Sequence, residues 1–392
     1  YLNIFKHFTC NEINTKRIYG LDILRAMAIL FVVVGHGKYL LPEKLRYIHR
    51  IVVFDGVSIF FVLSGFLIGG ILIKIVENKQ ANKKTLIDFW KRRWFRTLPN
   101  YFLILLIITF YFLITKNDFQ VLSVKKYFIF CQNLFSPHPG FFPEAWSLSV
   151  EEWFYLIIPT IIFILIAVFK IKPQNSILIS AFSILLFVVF FRIQRYLSVD
   201  IASIGEWDTI FRKQVFTRLD SLMFGVLGAY IQYYFPQKWI KVKLPFLISG
   251  IVLFVIIKCL TLFSIVAVDS FYMCVLSFSV TSLATLFLLP FLSNLKTGSG
   301  VFYRGITVIS LISYSMYLLN LTIVQKIIIK DIIPWDNLSG MKYLTVISQY
   351  SVYWIFTIIG SIIIYKYYEI PLTRLRDKKW NKIRLPTMYK RH

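Results

Sequence analysis

Arg25 and His36 stand eleven positions apart within the first long apolar run, Leu21 to Leu41. In a helix that spacing leaves them about 20° apart around the axis and roughly 16 Å apart along it. Asp22, three positions before Arg25, lies on the same stripe. The intervening residues Ala26 to Val34 are fit for lipid. Ionisable groups inside a membrane span usually face a water-filled or protein-lined cavity, so the stripe is a candidate functional site. Its chemistry would be proton transfer at the imidazole and anion binding at the guanidinium. The plainer alternative is a boundary ion pair between Asp22 and Arg25, with His36 as an interfacial polar residue.

Five further constellations carry polar groups at useful spacing. In WKRRWFRTLP, Arg93 and Arg96 are spaced i, i+3 and would project the same way on a helix, just before Pro99 restarts the chain as the next span. Paired guanidiniums suit phosphate, and they equally suit anionic lipid headgroups. In PEAWSLSVEEWFYLIIP, Ser149 and Glu152 fit a capping box, whereas Glu151 points about 100° away and needs another explanation. Trp146 and Trp153 read as an interfacial aromatic belt. In TRLDSLMFG, Arg218 and Asp220 suggest a local ion pair. Ser64 sits in a span rich in small residues (Gly56, Ser58, Gly65, Gly69, Gly70), which packing explains and ligand approach would also use. Near the end, Glu369, Pro371 and Arg374 are expected to finish the last helix.

The elements that must position these groups are membrane helices. The 392 residues are 57% hydrophobic and only 16% charged, with mean hydropathy +0.68; globular chains carry about 25% charged residues. Apolar windows of ~20 residues fall at about 21–41, 51–76, 98–115, 152–169, 176–192, 217–235, 245–265, 271–293, 305–329 and 346–368. The expectation is an all-α polytopic membrane protein of about ten spans. The net charge of +25 sits in short segments between the apolar runs, which argues against nucleic acid as a partner and for the positive-inside rule. Lys79 to Arg96, the loop around Lys238, Lys241 and Lys243, the N-terminal Lys6, Lys16 and Arg17, and the tail from Arg374 to Arg391 fall on one side. Both termini are therefore expected in the cytoplasm, and His36 in the outer half of the bilayer. Cys10, Cys131, Cys259 and Cys274 show no metal-ligand or disulfide spacing and read as packing residues. No cleavable signal peptide is expected, since the first apolar run is long enough to span and lacks a small-residue cleavage site after it. The division is a cytoplasmic segment 1–20, a transmembrane domain 21–368 and a basic cytoplasmic tail 369–392.

The stretches GLDILRAMAILFVVVGH, GVSIFFVLSGFLI, RRWFRTLPNY, WSLSVEEWFYLIIP, TRLDSLMFG, ISYSMYLLN and EIPLTRLR, in that order, resemble the acyltransferase family 3 membrane proteins over residues 17–376. These are bacterial multi-pass enzymes that O-acylate surface glycans. The family's Arg-x10-His element falls on Arg25 and His36, its Arg-x-x-Arg element on Arg93 and Arg96, and its Ser-Val-Glu-Glu stretch on Ser149 to Glu152. Two positions depart: Ser58 where many members have Asp, and Asn320 where many have His. The sequence resembles the stand-alone form, without the soluble SGNH domain that some members carry.

What the resemblance implies is transfer of an acyl group, most often acetyl, from cytoplasmic acyl-CoA to a glycan or lipid-linked saccharide across the bacterial cytoplasmic membrane, with no metal. In that scheme Arg25, Arg93 and Arg96 hold CoA phosphates. His36 is the general base or accepts the acyl group covalently, and Glu151 orients it. Asp22, Ser64, Glu152, Arg218 and Asp220 are the candidate substrate-binding residues. The competing class is a transporter or exporter of a glycan or lipid-linked intermediate, in which the Arg, His and Glu set would relay protons. Against it stands the lack of matching broken helices in two repeated halves.

Overall fold

The computed structural model describes residues 17–78, 81–117, 119–335 and 342–380. Lys6, Cys10, Lys16, Lys79 and the tail residues Lys382, Arg384, Lys390 and Arg391 lie outside them, so most of the expected N-terminal segment and part of the basic tail do too.

Among the described residues the chain is helical with no strand, as lipid requires of a backbone that must satisfy its own hydrogen bonds. The long helices are α1 (Tyr19–Gly37), α2 (Glu43–Val52), α3 (Gly56–Glu77), α4 (Lys83–Thr115), α5 (Ala145–Ala167), α6 (Pro173–Ser198), α7 (Leu219–Tyr234), α8 (Lys243–Leu262), α9 (Ser277–Asn294), α10 (Gly300–Leu319), α11 (Lys342–Ile364) and α12 (Ile370–Trp380). The chain continues past α10 as a wider π-helix, Asn320–Ile332, and past α11 as a π turn, Tyr365–Glu369.

Nine helices among the described residues are long and apolar enough to cross a bilayer. The expected span 217–235 is not one of them. It is α7, with 16 residues, whose length of about 24 Å falls short of a ~30 Å hydrocarbon core. Enclosed by α3, α6 and α9, it meets protein on the faces where a longer helix would meet lipid. A second difference concerns Pro99, which does not restart the chain. α4 runs unbroken through it for 33 residues, so Arg93 and Arg96 lie inside a helix and share a face.

α1 is central, packed by α3, α9 and α10, and 56% of its apolar stretch is buried. The corresponding figure for α8 is 6%, which makes α8 a lipid-facing outer helix. Arg25 and His36 are therefore surrounded by protein. The tightest approach is between α3 and α7: a Cβ on Gly65 would stand 1.9 Å from the Leu222 carbonyl oxygen, and one on Gly225 2.1 Å from that of Val62. At this crossing the small residues of α3 serve packing.

Candidate active site

At one end of α1 the carboxylate of Asp22 is a buried counter-ion. It accepts from Arg17 Nη2 at 2.5 Å and Nε at 2.9 Å, from Ser310 Oγ at 2.8 Å and from Arg25 Nη1 at 3.4 Å. The expected Asp22–Arg25 pair is present, with Arg17 added. These bonds occupy Asp22, which does not line the adjoining cavity, whereas Arg25 does. Arg93 and Arg96 of α4 line the same cavity, so three guanidiniums from two separated helices converge there. The space, including its open mouth, is about 920 Å³, and Ser64, Glu151, Tyr155, Ser310, Tyr314 and Glu369 complete its polar wall. Such a set suits an anion carrying several charges, because each guanidinium can present two parallel N–H donors.

Glu151 and Glu152 part company, as neighbours on a helix must. Glu151 faces the arginine cavity and accepts from Ser64 Oγ at 2.9 Å and Tyr155 Oη at 3.3 Å. Neither bond involves His36, the residue it was expected to orient. Glu152 turns to Thr97 Oγ1 at 2.8 Å and to a separate crevice beside Trp94 and Trp153. The capping-box reading is corrected: α5 starts at Ala145, so Ser149 and Glu152 are interior to the helix, and Ser149 accepts from Gln132 Nε2 at 2.5 Å. Trp146 is likewise no belt residue. It is buried, edge-on to Phe61 and 5.2 Å from the Arg212 guanidinium.

His36 stands outside the lining of the arginine cavity. Its Nδ1 lies 2.5 Å from Oδ1 of Asn320, the first residue of the π-helix. Asn320 is held in turn: its Nδ2 donates to the carbonyls of Met316 at 2.8 Å and Tyr317 at 2.9 Å, and Tyr353 Oη lies 3.3 Å from its Oδ1. With Nδ2 committed to two carbonyls, the group facing the imidazole is an acceptor, so Nδ1 carries the ring proton and Nε2 keeps its lone pair. That is the arrangement a general base or nucleophilic imidazole needs. Tyr317 joins the two regions. It lines the arginine cavity, its hydroxyl meets Ser147 Oγ at 2.6 Å, and its carbonyl anchors Asn320.

The remaining expected residues are placed elsewhere. Arg218 and Asp220 do not pair with each other. Asp220 is fully buried against Arg192 Nη2 at 2.5 Å and Ser279 Oγ at 2.7 Å, tying α6, α7 and α9 together. Arg218 donates to Ser58 Oγ at 2.5 Å and rests its guanidinium 4.3 Å from the Phe278 ring centre. Ser58 also donates to Asp55 at 2.7 Å, and Asp55 pairs with Arg212 at 3.1 Å. Outside the membrane spans, Asp208 is held below the usual carboxylate range by Arg212 and Lys213 despite burial. Glu369 does not close the last helix; the chain runs on through α12. It accepts from Asn100 Nδ2 at 2.9 Å at the edge of the arginine cavity, a role no local sequence signal announces. Cys131, Cys259 and Cys274 are free thiols.

With this geometry in view, residues 18–366 match the family model described as an acyltransferase domain. The O-acetyltransferase OatA of Staphylococcus aureus strain NCTC 8325 is 28% identical over 325 residues, 76% of this chain and 49% of that protein. A putative O-acetyltransferase of S. aureus strain COL is 28% identical over 347 residues, 83% of this chain and 53% of its own length. The chain thus spans about half the length of the curated relatives it matches. No solved structure matches it significantly. Matched over residues 18–366 and built of helices long and apolar enough to cross a bilayer, the chain belongs to the acyltransferase-3 family of multi-pass membrane proteins.

Proposed function

We propose that the protein is a membrane O-acyltransferase, moving an acetyl group from acetyl-CoA to a hydroxyl of a surface or lipid-linked glycan in the bacterial cytoplasmic membrane. The observation that carries this reading is the His36–Asn320 contact, which leaves Nε2 of His36 free to act. In the reaction, Nε2 takes the proton of the acceptor hydroxyl as its oxygen attacks the thioester carbonyl. The carbon–sulfur bond then breaks, and the imidazolium returns the proton to the departing thiolate. A covalent acetyl-imidazole formed at the same nitrogen would use the same geometry in two steps. Arg25, Arg93 and Arg96 hold the donor's phosphates on the cytoplasmic side.

The relatives' names support acetyl as the group and oxygen as its destination. A proton relay for export has less behind it, because Glu151 is bonded to Ser64 and Tyr155 and not to His36. The test is incubation of the purified protein with labelled acetyl-CoA and candidate glycans. Label in the glycan supports the reading; glycan movement across vesicles without acetylation overturns it.

A further inference from the structure

The acceptor's chemistry can be read from a second cavity, which shares no lining residue with the arginine cavity. Gln325, Lys326 and Lys330 of the π-helix line it, together with Tyr39 just beyond α1, Trp335 and Gln349 of α11. It borders the backbone of His36, whose carbonyl accepts from Gln325 Nε2 at 2.8 Å, while the imidazole itself is not part of its lining. Trp335 is anchored through its Nε1, which donates to the Ile329 carbonyl at 2.8 Å, while Tyr39 is largely exposed. Two aromatic rings and two primary amides fit a sugar, whose C–H faces lie on rings and whose hydroxyls need both donors and acceptors.

The cavity's charge narrows the class. Lys326 lies within electrostatic reach of Lys116, Lys213 and Lys330, with Glu144 as the acid there. Glu144 is turned inward, bonded to the Thr322 amide and hydroxyl at 2.6 Å each, and nearby Asp331 accepts from Tyr111 at 3.0 Å. Lys213 is paired with Asp208 at 2.5 Å. The same Lys213, with Lys38 and Arg212, also bears on His36. An excess of positive charge in a recessed mouth draws anions and raises their local concentration.

We propose that this cavity is the acceptor subsite and that it takes an anionic saccharide, one bearing phosphodiester or carboxylate groups, with a hydroxyl delivered to His36. The proposal rests on the acyltransferase reading for that delivery but not for the binding itself. The test titrates fluorescent oligomers into the full chain reconstituted in phosphatidylcholine nanodiscs, without acetyl-CoA. The probes are a glycerol phosphate hexamer, a hexuronate and a neutral hexaglucoside. The anionic probes should bind about tenfold more tightly than the neutral one, and a tenfold rise in ionic strength should weaken them alone. The tighter of the two names the anion. Lys326→Gln with Lys330→Gln should erase the difference, while Lys326→Arg with Lys330→Arg, eluting at the same size, should keep it. Equal binding of the neutral probe, or unchanged anion selectivity in the glutamine variant, overturns the proposal. So does displacement of the anionic probes by soluble short-chain phosphatidylglycerol at concentrations where unlabelled oligomer does not displace them, which would assign the lysines to lipid headgroups. Selective binding, followed by no label in the bound oligomer or in any candidate glycan once labelled acetyl-CoA is added, would leave the subsite standing and overturn the enzymatic reading instead.

Discussion

Asn320 Oδ1 and His36 Nδ1 meet at 2.5 Å although 284 positions separate them in the chain. The meeting is made by the change from α-helix to π-helix at Asn320, where a wider turn follows Leu319. An amide here does what a carboxylate does in many catalytic sites: it fixes which ring nitrogen holds the proton, without adding a negative charge. Asn320 stands where the family resemblance leads one to expect histidine, and in this chain it supplies the side-chain partner of His36 Nδ1.

Replacing His36 with Ala should therefore abolish acetyl transfer while the protein still inserts and purifies as wild type does. Loss of a general base removes ~10²–10⁴-fold of rate. Asn320→Asp keeps an acceptor facing Nδ1 and should retain more kcat than Asn320→Leu, which keeps none. Steady-state kinetics on the three variants decide the matter. Equal activity in the Asp and Leu variants would remove Asn320 from any positioning role.

Arg93→Ala and Arg96→Ala should raise KM for acetyl-CoA more than they lower kcat, because both side chains line the cavity that Arg25 shares. Lysine at either position should rescue only in part, since a point charge lacks the two-pronged donor geometry. Donor titrations of the purified variants read this directly, and unchanged affinity in both would return the pair to a lipid-anchoring role.

How much of this was legible in the sequence follows from the range of each signal. The Arg25–His36 and Arg93–Arg96 spacings depend on helical geometry alone, and each pair lies on one unbroken helix, although His36 stands outside the cavity that the three arginines line. Pairings across the bundle did not announce themselves. Arg218 and Asp220 are neighbours in sequence but belong to different networks, because α7 is enclosed and each side chain meets a different helix. Glu151 and Glu152 were correctly separated by angle, yet their partners Ser64 and Thr97 come from α3 and α4. Hydropathy gave α7 a full span because a buried helix is as apolar as a lipid-facing one. The π-helix after Leu319 left no compositional mark, so the route from Asn320 to His36 could not be drawn beforehand.

Asp220 should prove structural. Arg192 and Asp220 are both fully buried, so removing one partner leaves the other charge unpaired. Asp220→Ala should lose about 3–5 kcal/mol of stability, and Arg192→Leu with Asp220→Leu should lose less. Thermal unfolding in detergent measures both. A stable Asp220→Ala protein with a raised KM for glycan would restore the residue to substrate binding.

Gly65→Ala tests the α3–α7 contact, because its Cβ would press on the Leu222 carbonyl at 1.9 Å. A backbone atom cannot turn aside as a flexible side chain can, so the helices must separate, at about 1–3 kcal/mol for overpacking. Gly70→Ala is the control, since nothing lies within 4 Å of its Cβ position. The melting temperature should fall for the first and hold for the second. If both held, the close approach of α3 and α7 would be wrong.

The last prediction concerns sidedness, which follows from placing the basic segments in the cytoplasm. α4 is one helix from Lys83 to Thr115, and at 1.5 Å per residue its 33 residues extend about 50 Å, enough to carry the chain across a bilayer. Lys125 lies beyond its far end. In a background with Cys10, Cys131, Cys259 and Cys274 replaced, Lys83→Cys should react with an impermeant thiol reagent only from the cytoplasmic face, and Lys125→Cys only from the other. Acetyl-CoA should correspondingly support transfer only when supplied on the Lys83 side of sealed vesicles, with product forming on the Lys125 side. Labelling of both cysteines from one face would overturn the topology, and with it the passage of the acyl group through the protein.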